Sequence, residues 1–393
     1  MVHVRRQRFR GIQQLLEKYP DPTLPLRNLK IAQEVWSRTI EYDFPFISDF
    51  SVEMSIFKAC ATPSISKILA ATKQLTGDTH KRIDDTSLLL CELHDTPSRR
   101  VARALLIETT NPKTSKPVER LRRATDPSPN PLLDPEELQE QGNDEARTQA
   151  TIDRINWIHS HYRIPQEDYT YNLALFILEV LDWIDRFEWR KTTDLEKNAV
   201  LAVWTATGEK LGIENIPSTV KDLREWTENY ERVKMVYASW NPVVAESVIK
   251  LSQSTIPFPT PYGLVRRVLI SFLPPRVCAA LGYKAPATYM VWMTKTSFWL
   301  RSRFVRYFML PRTVPLVRTA LRAAKEEAPV DIKESAHEVD GVKSGGACPF
   351  SQGHKRYIPR FDYLQPSLYS KGYRIDELGP ARFARKDPTK TSA

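Results

Sequence analysis

Apolar side chains along this chain recur mostly at helical spacing. In the run from Pro63 to Leu75, Ile65, Ile68, Leu69 and Leu75 fall on one side of a helix. Asp84-Asp85-Thr86-Ser87 leads into Leu88-Leu89-Leu90, a polar start to an apolar helical turn. Thr170 to Trp189 is long and mostly apolar, as a buried helix needs to be. Leu195 to Leu211 and Val220 to Tyr237 continue the pattern, with Asp194 and Ser218 as the expected N-caps. Thr151 to Arg163 is strongly patterned and places Ile152, Ile155, His159 and Tyr162 on one face. No series of alternating runs joined by hairpin turns occurs. The pattern predicts an all-α protein.

Prolines punctuate this pattern. Tyr19-Pro20-Asp21-Pro22 and Phe44-Pro45-Phe46 mark turns in the N-terminal part. Asn111 to Asn143 is rich in proline and charge and poor in apolar residues. An inserted surface loop is therefore expected over residues 112–146, between two helices. Glu326 to Lys355, with Gly341, Gly345 and Gly346, reads as a separator. The expected organisation is a helical domain over residues 1–325 and a linker with an irregular tail over 326–393. No internal repeat is present.

Composition changes the picture little. A chain of 393 residues, 41% hydrophobic, can bury a large core in one domain or two. Cys60, Cys91, Cys278 and Cys348 lie far apart with no CxxC pair, so they read as small core residues or free thiols. The start, MVHVRRQRFRGI, is basic without the apolar stretch of a signal peptide. No run of 18 apolar residues occurs, so no conventional membrane span is expected.

Charge changes it more. The net charge is +10, yet Ser247 to Lys325 alone holds 13 Lys and Arg and no Asp or Glu, which leaves −3 for the rest. Aromatic residues, among them Tyr289, Trp292, Trp299, Phe304 and Phe308, are interleaved with these cations. Residues 247–325 thus suit an interfacial, membrane-contacting segment. A core-packing segment whose arginines face water fits as well. Nucleic acid is not expected as a partner, because the segment is too apolar for a phosphate-tracking surface.

Two groups of residues are candidates for chemistry. Of the seven histidines, His159 and His161 lie in a strongly patterned helix, and His159 shares the apolar face while His161 sits with Arg154 and Ile158. A neutral imidazole facing an apolar interior is what an iron porphyrin asks of its axial ligand. On spacing alone, a hydrogen-bonded core histidine is the simpler reading. The second group is Arg82, Asp85 and Thr86, which cluster within one helical turn on a face that Leu89 and Leu93 extend into apolar territory. Arg82 suits an acidic partner such as a haem propionate, and Asp85 and Thr86 suit orienting a bound oxygen species or accepting a proton. An exposed Arg82–Asp85 pair is the simpler alternative. GxGxxG, Walker, HExxH and GxSxG motifs are all absent, as are paired Glu-x-x-His motifs for a di-iron site.

Taken in order, several segments resemble a known family. They are Tyr42-Asp-Phe-Pro-Phe46, Thr62-Pro-Ser-Ile-Ser-Lys67, Arg82-Ile-Asp-Asp-Thr86, Ile155-Asn-Trp-Ile-His-Ser-His-Tyr162, Tyr171-Asn-Leu-Ala-Leu-Phe176, Trp189-Arg190 and Lys371-Gly-Tyr-Arg-Ile-Asp-Glu-Leu-Gly-Pro380. The chain resembles the fungal MpaB-type oxygenases bound to the endoplasmic reticulum, which share a catalytic domain with rubber oxygenases, the latex clearing proteins. The resemblance implies a globin-like helical core and a haem b cofactor, with His159 as the ligand of the iron. It carries the Arg-x-x-x-Thr pattern onto Arg82 and Thr86. It also implies dioxygen chemistry on an apolar, prenyl- or polyketide-derived intermediate of fungal secondary metabolism, with oxidative cleavage or oxygenation of a C=C bond. The implied location is the endoplasmic reticulum membrane, or the cytoplasm for a chain without an anchor.

Three departures stand out. Rubber oxygenases carry a Lys just before the Thr, where this chain has Asp85, so a distal Lys ligand is not expected. The 112–146 insertion lengthens the link between the Arg82 and His159 helices. Family members commonly begin with an anchor helix, which is not seen here. A non-catalytic, membrane-associated binding protein that keeps the fold, or a relative catalysing a different oxidation, stays open as an alternative.

Overall fold

The computed structural model describes residues 2–110, 135–254, 256, 260–319, 369, 372–380 and 383. Among them no β-strand forms, apart from an isolated bridge at Tyr373, and the all-α expectation holds. The chain divides into two compact units, each built from two separated segments. One joins Met1–Thr79 to Arg163–Leu316, and the other joins His80–Tyr162 to Val317–Ala393. The last of the three breaks between them follows Leu316.

In the first unit, Gln166–Phe187 is the central helix. It packs against Pro45–Cys60, Asp194–Lys210 and Val220–Lys234, and burial on several sides is why the run is apolar nearly all round. Leu29–Ser37 lies on Asp194–Lys210, and Trp240–Ser254 on Pro63–Ala71. Thr193 caps Asp194–Lys210 by accepting from the Glu196 N–H, while the Glu196 side chain returns to the Thr193 N–H. Thr219 caps Val220–Lys234 through the Asp222 N–H. Both caps lie one residue from the expected Asp194 and Ser218, because it is Thr193 and Thr219 that adopt extended backbone with the hydroxyl turned into the helix.

Two of the family-like segments interlock inside this unit. Arg38–Asp43 forms a π-helical turn that delivers Asp43 inward. The Arg190 guanidinium bonds both Asp43 and Glu196 at 2.7 Å. The Trp189 indole donates to the Asp43 carbonyl at 3.3 Å and packs against Phe44 with ring centroids 5.6 Å apart. Tyr42–Phe46 and Trp189-Arg190 are thus two halves of one structural joint.

The second unit contains Thr96–Thr110, Pro135–Ser160 and nearly all of Thr79–His94, with a short 3-10 turn at Ile375–Glu377 packed on the Pro135–Ser160 helix. That helix is 26 residues long, so the loop expected over 112–146 is corrected at its C-terminal end: residues from Pro135 onward are helical. Proline at the start of the helix is favourable, since its missing N–H has no partner there in any case. Residues 111–134 lie outside the described residues.

The interior of the second unit is charged. Arg99, with no exposed surface, donates to Glu92 and Asp144, both at 3.1 Å, and to Thr319 at 2.8 Å. Arg147 and the Tyr373 hydroxyl also reach Glu92, and Arg103 reaches Asp144. Asp95 accepts from the Thr319 N–H and hydroxyl. Desolvating each charge is costly, and the network offsets this by supplying each carboxylate with several donors.

Candidate functional site

The two candidate groups lie in the same unit. Arg82, Asp85 and Thr86 are carried by Thr79–His94, and His159 by the last turn of Pro135–Ser160. Ile152, Ile155 and Ile158 of that second helix are buried, which fixes how its last turn is held. His159 is partly buried. Burial, with the nearby Arg82 charge adding to it, pushes the His159 imidazole down to about 4. At neutral pH it is an uncharged imidazole, able to donate a nitrogen lone pair.

His161 has a different setting. It is exposed, and its Nδ1–H donates to the Trp157 carbonyl at 2.7 Å. Its ring lies 4.8 Å from that of Trp157 and 4.5 Å from that of Phe383. His161 therefore takes part in packing the C-terminal segment.

Arg82 and Thr86 meet one turn apart. The Thr86 hydroxyl donates to the Arg82 carbonyl at 2.7 Å and accepts from the Arg82 guanidinium. Burial lowers the Arg82 pKa, while the charge of Asp85 and the phenol of Tyr162 oppose that shift. The geometry thus brings Arg82 into electrostatic reach of both His159 and Tyr162. The Thr86 hydroxyl is engaged with Arg82 itself.

Asp85 is engaged elsewhere. It is buried, pairs with Lys81 at 2.6 Å, and accepts from the Gly379 N–H at 2.9 Å and from the Tyr369 hydroxyl. Burial, followed by the Asp85 charge, raises the Tyr369 phenol, which keeps it protonated as a donor. Lys81 also reaches the Gly379 carbonyl at 3.3 Å. On the neighbouring helix, Arg154 donates to the carbonyls of Leu378 at 2.9 Å and Phe383 at 3.1 Å. The Arg82–Thr86 turn and Gly379 are therefore fastened to one another, and Phe383, further along the chain, lies beside His161.

Sequence reasoning passed over His94 and the Glu92–Arg99–Arg147 network. His94 is buried, and burial pushes it down to about 4. In sequence the arginines look like ordinary polar positions, and nothing local marks a charge whose partners lie tens of residues away. Cys60 and Cys278 are buried free thiols, as expected of small core residues. Cys348, His337 and His354 lie outside the described residues. No helix among the described residues is long and apolar enough to cross a membrane.

Comparison with known proteins bears on what this arrangement does. Residues 98–306, more than half of the chain, match the family model described as ER-bound oxygenase mpaB/B'/Rubber oxygenase, catalytic domain. His159 falls within the match, whereas Arg82, Asp85 and Thr86 precede it. The chain is 24% identical over 271 residues to the ER-bound oxygenase mpaB of Penicillium roqueforti (strain FM164), covering 64% of this chain and 76% of that protein. It is 23% identical over 418 aligned positions to the ER-bound oxygenase mpaB' of Penicillium brevicompactum, covering 96% of this chain and 85% of that protein. A third relative, ER-bound oxygenase mpaB of the same species, is 25% identical over 269 residues, 62% of this chain and 57% of its own. The chain belongs to the family of mpaB-type and rubber oxygenases and carries an oxygenase catalytic domain.

Proposed function

We propose that this oxygenase depends on haem b, with His159 as the residue that would hold the iron. We further propose that it oxidises an apolar, alkene-bearing intermediate of fungal secondary metabolism. The observation that carries this reading is the placement of His159 in the last turn of a helix anchored by the buried Ile152, Ile155 and Ile158, within the stretch that matches the oxygenase catalytic domain. Burial, aided by the Arg82 charge, favours its neutral form. The donor set fits the cofactor. Among the described residues no three His, Cys, Asp or Glu side chains gather into a group able to hold a metal ion. A bare ion asks for such a group, whereas a porphyrin brings four nitrogens and needs a single imidazole.

Bound at His159, haem would supply the dioxygen chemistry, and the protein would supply access, orientation and polarity. Arg82 is proposed to pair with an acidic edge group of the cofactor, as its permanent charge and forked donors allow. Thr86 would hold the Arg82 guanidinium in place by accepting from it. Asp85 is proposed to act at a distance, fastening the tail beside the His159 helix. Cleavage or oxygenation of a C=C bond is the proposed reaction, at the endoplasmic reticulum where the relatives' names place them.

Product analysis tests this directly. Haem-supplemented protein is incubated with prenyl-derived alkenes under labelled dioxygen. Labelled oxygen is expected in the product. Haem-loaded protein that consumes no oxygen with any alkene would overturn the proposed reaction.

A further inference from the structure

The Thr288–Phe308 helix spans 21 residues, about 30 Å at 1.5 Å per residue. Its inner side is settled within the first unit: Met290, Thr294, Ser302 and Val305 are buried. Phe298 joins the rings of Phe272 and Phe187 at 5.2 and 5.1 Å. A surface helix with one side packed normally turns a polar side to water. This one turns out Tyr289, Trp292, Trp299, Leu300, Phe304 and Phe308, which are between 53% and 67% exposed. Their spacing of three, four, seven and eight residues keeps them on one face. Together they expose an apolar surface on the order of several hundred Å², comparable to the largest patch of a typical monomer, which is often functional.

Cations frame this face. Lys295 and Arg303 are exposed on the helix itself, and Lys284 and Arg312 are exposed at its flanks. The Val2–Lys18 helix packs against it. Arg8 donates to the carbonyls of Met309 at 2.5 Å and Leu310 at 3.1 Å, and the Arg306 guanidinium lies 5.4 Å from the Phe9 ring. That contact brings the exposed Arg5, Arg6 and Arg10 to the same part of the unit. No Asp or Glu occurs between Ser247 and Lys325 to offset these charges. The Glu188 carboxylate that reaches the helix is buried against Arg301 at 2.8 Å.

We propose that the outer face of Thr288–Phe308, with the basic start of Val2–Lys18, docks on a bilayer surface carrying anionic lipid. Charge complementarity selects this occupant. A second copy would set the same cations against each other around a two-fold axis. A bilayer surface satisfies both features at once, taking the aromatic side chains at the acyl boundary and the cations among the headgroups. The helix lies in the interface and does not cross it, since four cations interrupt it. The inference is independent of the cofactor at His159, so it stands or falls separately from the proposed function.

Sedimentation of the full chain with vesicles tests it. Phosphatidylcholine vesicles, with and without phosphatidylserine, are compared at low and high salt. Pelleting is expected with the serine-containing vesicles, weakened by salt. Replacing Arg5, Arg6 and Arg10 together by Gln is expected to lower the partition coefficient roughly a hundredfold, at about fivefold per cation. A Trp299→Gln, Phe304→Gln variant, which alters exposed side chains only, is expected to melt as the parent does and to bind both vesicle types more weakly. Failure of the parent to pellet with either vesicle would overturn the proposal, as would binding unchanged in both variants. A parent dimer seen by light scattering and dissociated by the Trp299→Gln, Phe304→Gln changes would assign the face to a second copy instead.

Discussion

The carboxylate of Asp85 and the backbone N–H of Gly379 are 2.9 Å apart, though 294 residues separate them in sequence. The same carboxylate pairs with Lys81 at 2.6 Å and receives the Tyr369 hydroxyl. A buried acid with three donors is a strong point of attachment, because its loss removes the acceptor of the Gly379 amide and the Tyr369 hydroxyl and the counter-charge of Lys81. Asp85→Ala is expected to destabilise the second unit by about 3 kcal/mol. Asp85→Asn, which keeps one acceptor for Gly379, should cost roughly half as much. Thermal unfolding gives the totals, and amide exchange at Leu378 and Gly379 localises the effect. Unchanged exchange there in Asp85→Ala would show that the tail is held by other means.

Gly379 itself leaves little freedom for substitution. Its φ is +102°, and a Cβ on it would meet Ile158 Cδ1 at 2.6 Å. Gly379→Ala therefore combines backbone strain, about 1–3 kcal/mol, with overlap against the His159 helix. Ile158→Val removes the clashing methyl at a cost of about 1 kcal/mol. The double variant is expected to be more stable than the sum of the two single losses predicts. Strict additivity in melting experiments would mean that the tail crosses the helix elsewhere.

Stability should fall on acidification in a defined window. His94 and His159 are both pushed down to about 4 by burial, against an ordinary value of 6.5. Between those two values the unfolded chain binds more protons than the folded one, so stability rises with pH there. The loss on going from pH 6.5 to about 4 is expected to be on the order of 2 kcal/mol for each histidine, and smaller at His159, whose ring keeps some accessible surface. Replacing either residue by Gln should flatten the fall in melting temperature. An equally steep fall in both variants would assign it to other groups.

Arg82 contributes to the His159 shift through its charge. Arg82→Gln is accordingly expected to raise the His159 pKa above that of the parent while leaving His94 unchanged. Imidazole proton resonances followed through a pH titration of the cofactor-free protein report both sites. A His159 value that does not move would place Arg82 too far away to act on it.

Most of the helices were legible because burial repeats along a single chain. The Thr170–Trp189 run became Gln166–Phe187, and the Val220 helix begins where its pattern begins. The Pro135–Ser160 helix was only half legible, since its first turns are acidic and polar and give no apolar period. His159 was legible as a residue on a buried face, but the pattern alone ranked a structural histidine above a ligand. The role of Asp85 was not legible. Read locally, it shares a turn with Arg82 and Thr86, and nothing near it announces Gly379 or Tyr369. The same holds for Glu92 and Arg147, whose burial depends on partners brought in by tertiary packing.

The central claim is that His159 holds a haem, and an absorption spectrum tests it most directly. The full chain is expressed with haem supplementation, beside His159→Ala and His161→Ala. The spectra are recorded from pH 7 downward. A Soret band is expected in the parent and in His161→Ala and should be absent in His159→Ala. In the parent it should persist below pH 6.5, because a ligand pushed down to about 4 is not yet protonated there. A Soret band that survives in His159→Ala, or none in the parent, would contradict the assignment.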